Sequence, residues 1–353
     1  MKQSASMATG ITGKIWTAPF LLIVGIMLFL LNLAVGAVSL PILTIVGTLS
    51  DLIWLGSDVA RDNDPRTFAI LMHIRLPRAV AAILAGSALA VSGAAMQGLF
   101  RNPMASPDIM GISAGAALGA VLGISLGVAA WHPMMVPLFS VVGSLITAVI
   151  VFFLAGRAGA VNLLFIILAG LALSSLLGGA ISAVLLFSQE YEVAQFIFWT
   201  MGGLEGRMWQ HVLWPAPWIV GLMVLALFQG RALNLLSQGE ENAHGIGLNV
   251  RGTKVVILIL TAGLTSLAIS ISGPIGFIGL MVPHLVRIIT GPDHRSLLPL
   301  SAIAGAIFVL FCDLIGRWLI APHEIKVGII TSIVGGSYFI YLIIRTYRQG
   351  RWL

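Results

Sequence analysis

Residues 231–254 read RALNLLSQGEENAHGIGLNVRGTK, a polar island in a chain whose flanks are almost unbroken apolar sequence. Its apolar positions, Leu233, Leu235, Leu236, Ala243 and Ile246, are too few to cross a hydrocarbon core, which takes ~20 residues of helix. They suit two short helices at a membrane surface. Gly239 breaks the first. Glu240 and Glu241 follow it, at what would be the positive end of the second helix, where carboxylates are favoured. Gly245 and Gly247 can close that helix, because glycine tolerates positive φ. The island reads as a compact helical knuckle between two membrane spans. An ordinary solvated loop is the other reading, and the rest of the chain decides between them.

Of the 353 residues, 58% are hydrophobic and 9% charged, and the mean hydropathy is +1.03. Soluble domains carry about 25% charged residues, so the chain is expected to be an all-α integral membrane protein. Helices are favoured over a barrel because the apolar runs are continuous and do not alternate. No basic tract is dense enough to bind nucleic acid. The single cysteine, Cys312, lies inside an apolar run and excludes an intrachain disulfide. Lys2 and Lys14 precede an apolar run at 18–38. That run exceeds the ~7–15-residue core of a signal peptide and reads as a retained first span.

About ten spans follow from length and flanks: 18–38, 76–100, 110–127, 133–154, 163–187, 212–228, 255–271, a short one at 275–289, 298–320 and 327–344. A mostly polar loop with Asp51, Asp58, Arg61, Asp62, Asp64 and Arg66 joins the first two. Residues 193–201 are too few to cross, so a re-entrant or interfacial helix is expected there. No soluble domain remains, and residues 1–353 form a single transmembrane domain on this reading. With the N-terminus inside, 12 of the 19 Lys and Arg fall on the inner side and seven on the outer, the sign the positive-inside rule requires. The inner set includes Arg101, Arg157, Arg231, Arg251, Lys254 and Arg351; the knuckle and both termini are then cytoplasmic. Arg75, Arg78 and Arg317 stand out as outer exceptions.

Small residues recur every four positions: Gly111, Gly115, Gly119, Gly123 and Gly127 in the third span, Ala82, Gly86, Ala90 and Ala94 in the second, Gly170, Ser174, Gly178 and Ser182 in the fifth. Such ridges let helices approach closely in lipid. In the fifth span, with two serines among the glycines, a smooth pathway wall is the expected use. Asn102-Pro103 and Ser106-Pro107-Asp108 form a stiff turn after the second span, and Pro107 and Asp108 suit a helix start. Pro274, Gly276 and Gly279 interrupt the entrance to the eighth span and Pro283-His284 its middle; freed backbone groups there need protein or water partners. Ser92-Gly93 and Ser272-Gly273 hint at an internal repeat. Asp313 and Arg317 are an i,i+4 pair inside an apolar span, able to neutralise each other, and intramembrane charges are functional candidates by default.

Two longer stretches are more specific: RLPRAVAAILAGSALAVSGAAMQGLFRNPMASPDIMGISAGAALG at 75–119 and SGPIGFIGLMVPHLVRIITGPDHRSLLP at 272–299, continued by Asp313, Arg317 and APHEIKVG at 321–328. With GEENAHGIGLNV and WTMGGL, they resemble the FecCD-type permeases, the membrane subunits of bacterial ABC importers for iron–siderophore complexes, haem and cobalamin. The resemblance covers about residues 65–353, with Lys326 standing where the family often has proline. It implies the cobalamin-permease arrangement of about ten transmembrane helices, and a homodimer or paralogous heterodimer with the path along the dimer axis. It implies two cytoplasmic ATPase subunits, an outer substrate-binding protein, and a multi-pass location in the bacterial cytoplasmic membrane. The knuckle becomes the coupling element that docks on the ATPase, through Gly239, Glu240, Glu241, Ala243, His244, Ile246 and Gly247. Arg75, Arg78 and Arg317 become the outer docking residues, since arginines at matching positions in the family meet acidic residues on the binding protein; a guanidinium fork pairs carboxylates bidentately.

The residues agree with a transport role. There is no G-x-x-x-x-G-K-[ST] sequence, so ATP and its magnesium are expected on the partner ATPase and no cofactor in this chain. No histidine pairs at i,i+4 with another His or Cys, so no built-in metal centre is expected, and no catalytic set appears. The expected cargo is an iron(III)–siderophore, from the Ser-Pro-Asp at 106–108, with haem or cobalamin as the alternative. An ion-gradient-driven secondary transporter is more remote. It would want acidic residues at mid-membrane, whereas most acids here lie in loops and Asp313 sits next to Arg317.

Overall fold

A computed structural model describes residues 2–36, 38–156 and 163–348. Arg157 and Arg351, counted above with the inner basic residues, lie outside the described residues. The chain is helical throughout the described residues: α1 (Lys2–Ala34), α2 (Ile42–Trp54), α3 (Ser57–Asn63), α4 (Pro65–Ile70), α5 (Leu76–Phe100), α6 (Ile112–Ser125), α7 (Met135–Gly156), α8 (Leu163–Leu186), α9 (Glu190–Thr200), α10 (Trp209–Leu213), α11 (Ala216–Phe228), α12 (Gly230–Ser237), α13 (Glu240–Gly245), α14 (Val250–Ser272), α15 (Ile278–Thr290), α16 (His294–Trp318) and α17 (Val327–Arg348).

Eight helices or helix pairs among the described residues are long and apolar enough to cross a membrane. Two of the ten expected spans, α6 and α15, are only 14 and 13 residues long, too short to cross alone. The interfacial helix expected at 193–201 is α9, and the knuckle forms two helices, α12 and α13, broken at Gly239. The stretch read as a polar loop after the first span is instead helical, α2 to α4. Its charges cluster after residue 50 and hide an apolar run before it. Leu43 and Trp54 of α2 are 87% and 82% exposed, which suits a short helix lying along the membrane boundary.

The bundle is built around α5. Most of its residues are buried, and it packs on α14, α15 and α16. The small-residue ridge explains how. A Cβ on Gly86 would lie 2.3 Å from the Gly305 carbonyl oxygen of α16, and one on Gly93 would lie 1.8 Å from the Gly279 oxygen of α15. Only hydrogen fits at these crossings. Serines supply polar contacts along the same helix: Ser92 Oγ donates to the Thr261 carbonyl at 3.0 Å and Ser87 Oγ to that of Ala302 at 2.9 Å. The glycine ridge of α6 packs on α7 in the same way, with Gly115 against Thr147 and Gly143 and Gly119 against Phe139.

The break expected in the middle of α15 is absent: the helix runs through Pro283. Proline removes one backbone donor and leaves the carbonyl four residues earlier unpaired. That carbonyl is Gly279, and Gln97 Nε2 from α5 reaches it at 3.4 Å and its neighbour Leu280 O at 3.0 Å. A side chain from the central helix thus repairs the ladder. The real interruption is at 273–277, where Gly273 and Phe277 have φ of +67° and +68°. The proposed Ser-Gly repeat does not hold, because Gly93 lies inside α5 and Gly273 at the end of α14. What the two halves share is a long buried helix followed by a turn and a short helix, α5–α6 and α14–α15.

Candidate functional site

Three places carry the residues singled out by sequence. The first is the knuckle. Leu233 and Leu236 of α12 are buried, and Asn234 fastens the helix to the start of α16: its amide donates to Asp293 Oδ1 at 2.6 Å and its oxygen accepts from the His294 backbone N–H at 2.9 Å. Gly239 then turns the chain with φ +117°, and α13 begins. Glu240 holds α13 to the bundle through Lys254 Nζ at 2.6 Å and Arg101 Nη2 at 3.9 Å. Lys254 lies in the first turns of α14 and Arg101 caps the end of α5. Glu240 thus ties α13 to α14 and, more loosely, to the end of α5. Of the residues expected to couple, Glu241, His244, Ile246 and Gly247 are exposed, with Ile246 at 66%. Ala243 is fully buried; it seats α13 on the bundle and cannot itself meet a partner.

The second place is the end of the bundle carrying Arg75, Arg78 and Arg317. The structure brings all three together, but turned inward, at 5%, 8% and 7% exposure. Expected from sequence to dock an outer protein, their guanidiniums are committed to contacts within this chain. Asp313, 1% exposed, is shared: its Oδ1 takes Arg78 Nη2 at 2.9 Å and its Oδ2 takes Arg317 Nη2 at 3.1 Å. Arg78 Nη1 also pairs with Glu324 Oε2 at 2.8 Å. The other two forks cap a helix. Arg317 Nη1 donates to the carbonyls of Asn32 at 3.0 Å and Val35 at 2.7 Å, and its Nη2 to Asn32 Oδ1. Arg75 donates to the carbonyls of Leu33, Ala34 and Val38. Asn32, Leu33 and Ala34 belong to the last turn of α1, whose carbonyls lack partners within the helix and lie at the negative end of its dipole; Val35 and Val38 follow it. Asn32 and Glu324 were not singled out from sequence. A lone Asn in an apolar span, and a Glu inside the APHEIKVG motif, were the available signals. Lys326, the departure from the family pattern, pairs with Glu205 at 3.0 Å.

The third place is the Gly170–Ser182 face of α8, which divides. A Cβ on Gly170 would lie 1.9 Å from the Ile109 carbonyl oxygen, and Ser174 Oγ sits against Gly111. The inner half of the ridge is therefore packing, against the turn at 107–111. Around Gly178 there is open space, and Ser182 is exposed, its hydroxyl donating to the Gly178 carbonyl at 3.0 Å. Across its span α8 is only 11% buried, so the half around Gly178 stands open on the isolated chain.

The model of the FecCD transport family matches residues 21–345. The hemin transport system permease protein HmuU of Yersinia pestis is 42% identical over 336 residues, covering 94% of this chain and 96% of that protein. The Fe(3+)-citrate import system permease protein YfmD of Bacillus subtilis is 34% identical and covers 91% of each. The cobalamin import system permease protein BtuC of Halobacterium salinarum is 40% identical, over 79% of this chain. A solved structure described as an inward-facing conformation of a metal-chelate type ABC transporter superposes with a TM-score of 0.80 at 29% identity, covering 92% of this chain and 97% of that one.

Proposed function

The chain belongs to the FecCD transport family, and on that premise we propose that it is the membrane-spanning subunit of an ABC importer, moving a metal chelate inward. Two copies, or one copy and a paralogue, assemble with the open face of α8 toward the path. Two cytoplasmic ATPase subunits dock on α12 and α13 and supply the ATP chemistry. An outer substrate-binding protein delivers cargo to the arginine end of the bundle, where Arg75, Arg78 and Arg317 hold the shape of the rim instead of touching the partner. The whole chain acts as one permease domain in the bacterial cytoplasmic membrane, with both termini inside. The cargo is an iron(III)–siderophore; haem is the second reading, favoured by the 42% identity to a hemin permease.

The observation that carries the reading is α13: a short helix clamped by Glu240 to Lys254 and Arg101, with Ile246 exposed at its tip. A buried apolar anchor at the centre of an interface typically contributes about 2 kcal/mol or more. Ile246→Asp is expected to lower ATPase co-purification and ATP-driven uptake at least about tenfold, with wild-type yield of the permease. Substitution at Ala243 would not make this test, because it would unseat α13. Uptake at wild-type rate in Ile246→Asp would refute coupling through this helix.

Gly178→Trp tests the path. Nothing lies within 4 Å of a Cβ there, so the side chain leaves the helix into open space on the isolated subunit. It should cut chelate uptake about tenfold or more while the dimer and its ATPase complex assemble normally, read by size-exclusion and uptake of iron-loaded chelate. Normal uptake with the indole in place means that the α8 face points to lipid.

A further inference from the structure

One cavity, of about 360 Å³, lies where the two short helices begin. Its wall combines the turn after α5 (Ser106, Pro107, Asp108) with Ser113 of α6, Thr265 of α14 and the break at 274–279. Leu89, also in the wall, lies well inside the span Pro65–Phe100, so the cavity lies within the bundle and not at its ends. Interrupted helices meeting at mid-membrane are where transporters place their solute. The turn at 107–111 is also the surface on which Gly170 and Ser174 of α8 pack, which sets the cavity next to the packed half of the same helix whose open half is assigned to the path.

Asp108 is the single ionisable residue in this lining. Its carboxylate accepts from the Ser113 hydroxyl, and no Lys, Arg or His among the described residues forms a salt bridge with it. The contrast with Asp313 is informative: Asp313 is buried against two guanidiniums, whereas Asp108 is exposed to the cavity. A carboxylate facing a protein-lined space without a cation gains most from a ligand that brings one. A purely local role, as a first-turn carboxylate at Pro107–Met110, would satisfy the backbone without needing the cavity.

Resting on the importer reading above, we infer that this cavity is a subsite for a positively charged arm of the chelate, and that Asp108 selects for it. The volume takes an alkylammonium arm and not the whole chelate, for which the bulk of the space lies in the path between subunits. The subsite favours cationic chelates over neutral ones and disfavours those with free carboxylates, such as citrate complexes or haem.

Two measurements test it on the complete importer. The first reads the charge of the cavity without any cargo. Cys312 is buried and is the single native cysteine, so Ser106→Cys gives one reactive thiol in the cavity wall. At pH 8, a cationic methanethiosulfonate should label it faster than an anionic one, and adding Asp108→Asn should lower that rate ratio about tenfold. The second uses matched cargoes: iron-loaded ferrioxamine B, which carries a free ammonium, and its N-acetyl derivative, which does not. Asp108→Asn should cut uptake of the first about tenfold, leave the second within about twofold, and Asp108→Glu should restore the difference. An unchanged labelling ratio, equal loss for both cargoes, or a wild-type importer that accepts neither overturns the subsite. None of these outcomes touches the importer reading, which stands or falls with Ile246→Asp.

Discussion

Asp313→Ala is expected to leave little folded permease in the membrane. Asp313 is 1% exposed and is the shared partner of Arg78 and Arg317. Without it, two guanidiniums remain at 8% and 7% exposure, with Glu324 paired to one of them only. Removing one member of a buried ionic set costs about 3–5 kcal/mol, chiefly because the remaining charge is stranded. The damage spreads, because Arg317 also holds the end of α1 through Asn32 and Val35. Asp313→Asn keeps the shape and one acceptor, so it should lose less. The measurement is the monodisperse fraction in mild detergent and its melting temperature. A wild-type melting temperature in Asp313→Ala would show that the network contributes nothing, and would return the arginines to the binding-protein surface.

Gly93→Val is expected to be comparably severe for a reason unrelated to charge. The first added carbon would lie 1.8 Å from the Gly279 carbonyl oxygen and 2.4 Å from its carbon. Both contacts are backbone, so no rotamer change relieves them. Overpacking commonly costs 1–3 kcal/mol, and here about 3 is expected because α5 and α15 would have to separate. Separation also pulls Gly279 and Leu280 from Gln97, unpairing the carbonyls at the proline. Gly178→Ala is the control: the added methyl meets open space, and helix propensity favours alanine by about 1 kcal/mol. If Gly93→Val accumulates and melts like Gly178→Ala, the close α5–α15 crossing is wrong.

Membrane class, the positions of the long helices, the helical knuckle and its glycine break were all legible in the sequence, though two of the ten expected spans proved too short to cross alone. They depend on local quantities, the length of an apolar run and the placement of Gly and acidic residues, which lipid and backbone geometry translate directly into structure. The family resemblance was legible for a similar reason, because its motifs are contiguous. Less legible was α2, since charges at 51 to 66 outweighed the apolar residues before them. The division of the α8 ridge was not legible either: Gly170 and Gly178 are identical in sequence spacing, and only the turn at 107–111, reached through another part of the chain, tells them apart.

The sequence by itself determined which residues sit in the membrane, and that Arg75, Arg78, Asp313 and Arg317 are anomalous there. Tertiary structure alone decided what those charges do. Asn32, Arg78, Asp313 and Glu324 are up to 292 positions apart in the chain, and an arginine at a span's end has the same sequence signature whether it faces water or caps another helix. The choice is made by the packing of α1 on α16, which sets the carbonyls at and just beyond the end of α1 against Arg317 and Arg75. The same holds for Pro283, which local rules read as a break. It stays helical because Gln97, nearly two hundred residues away, supplies the hydrogen bonds that proline removes.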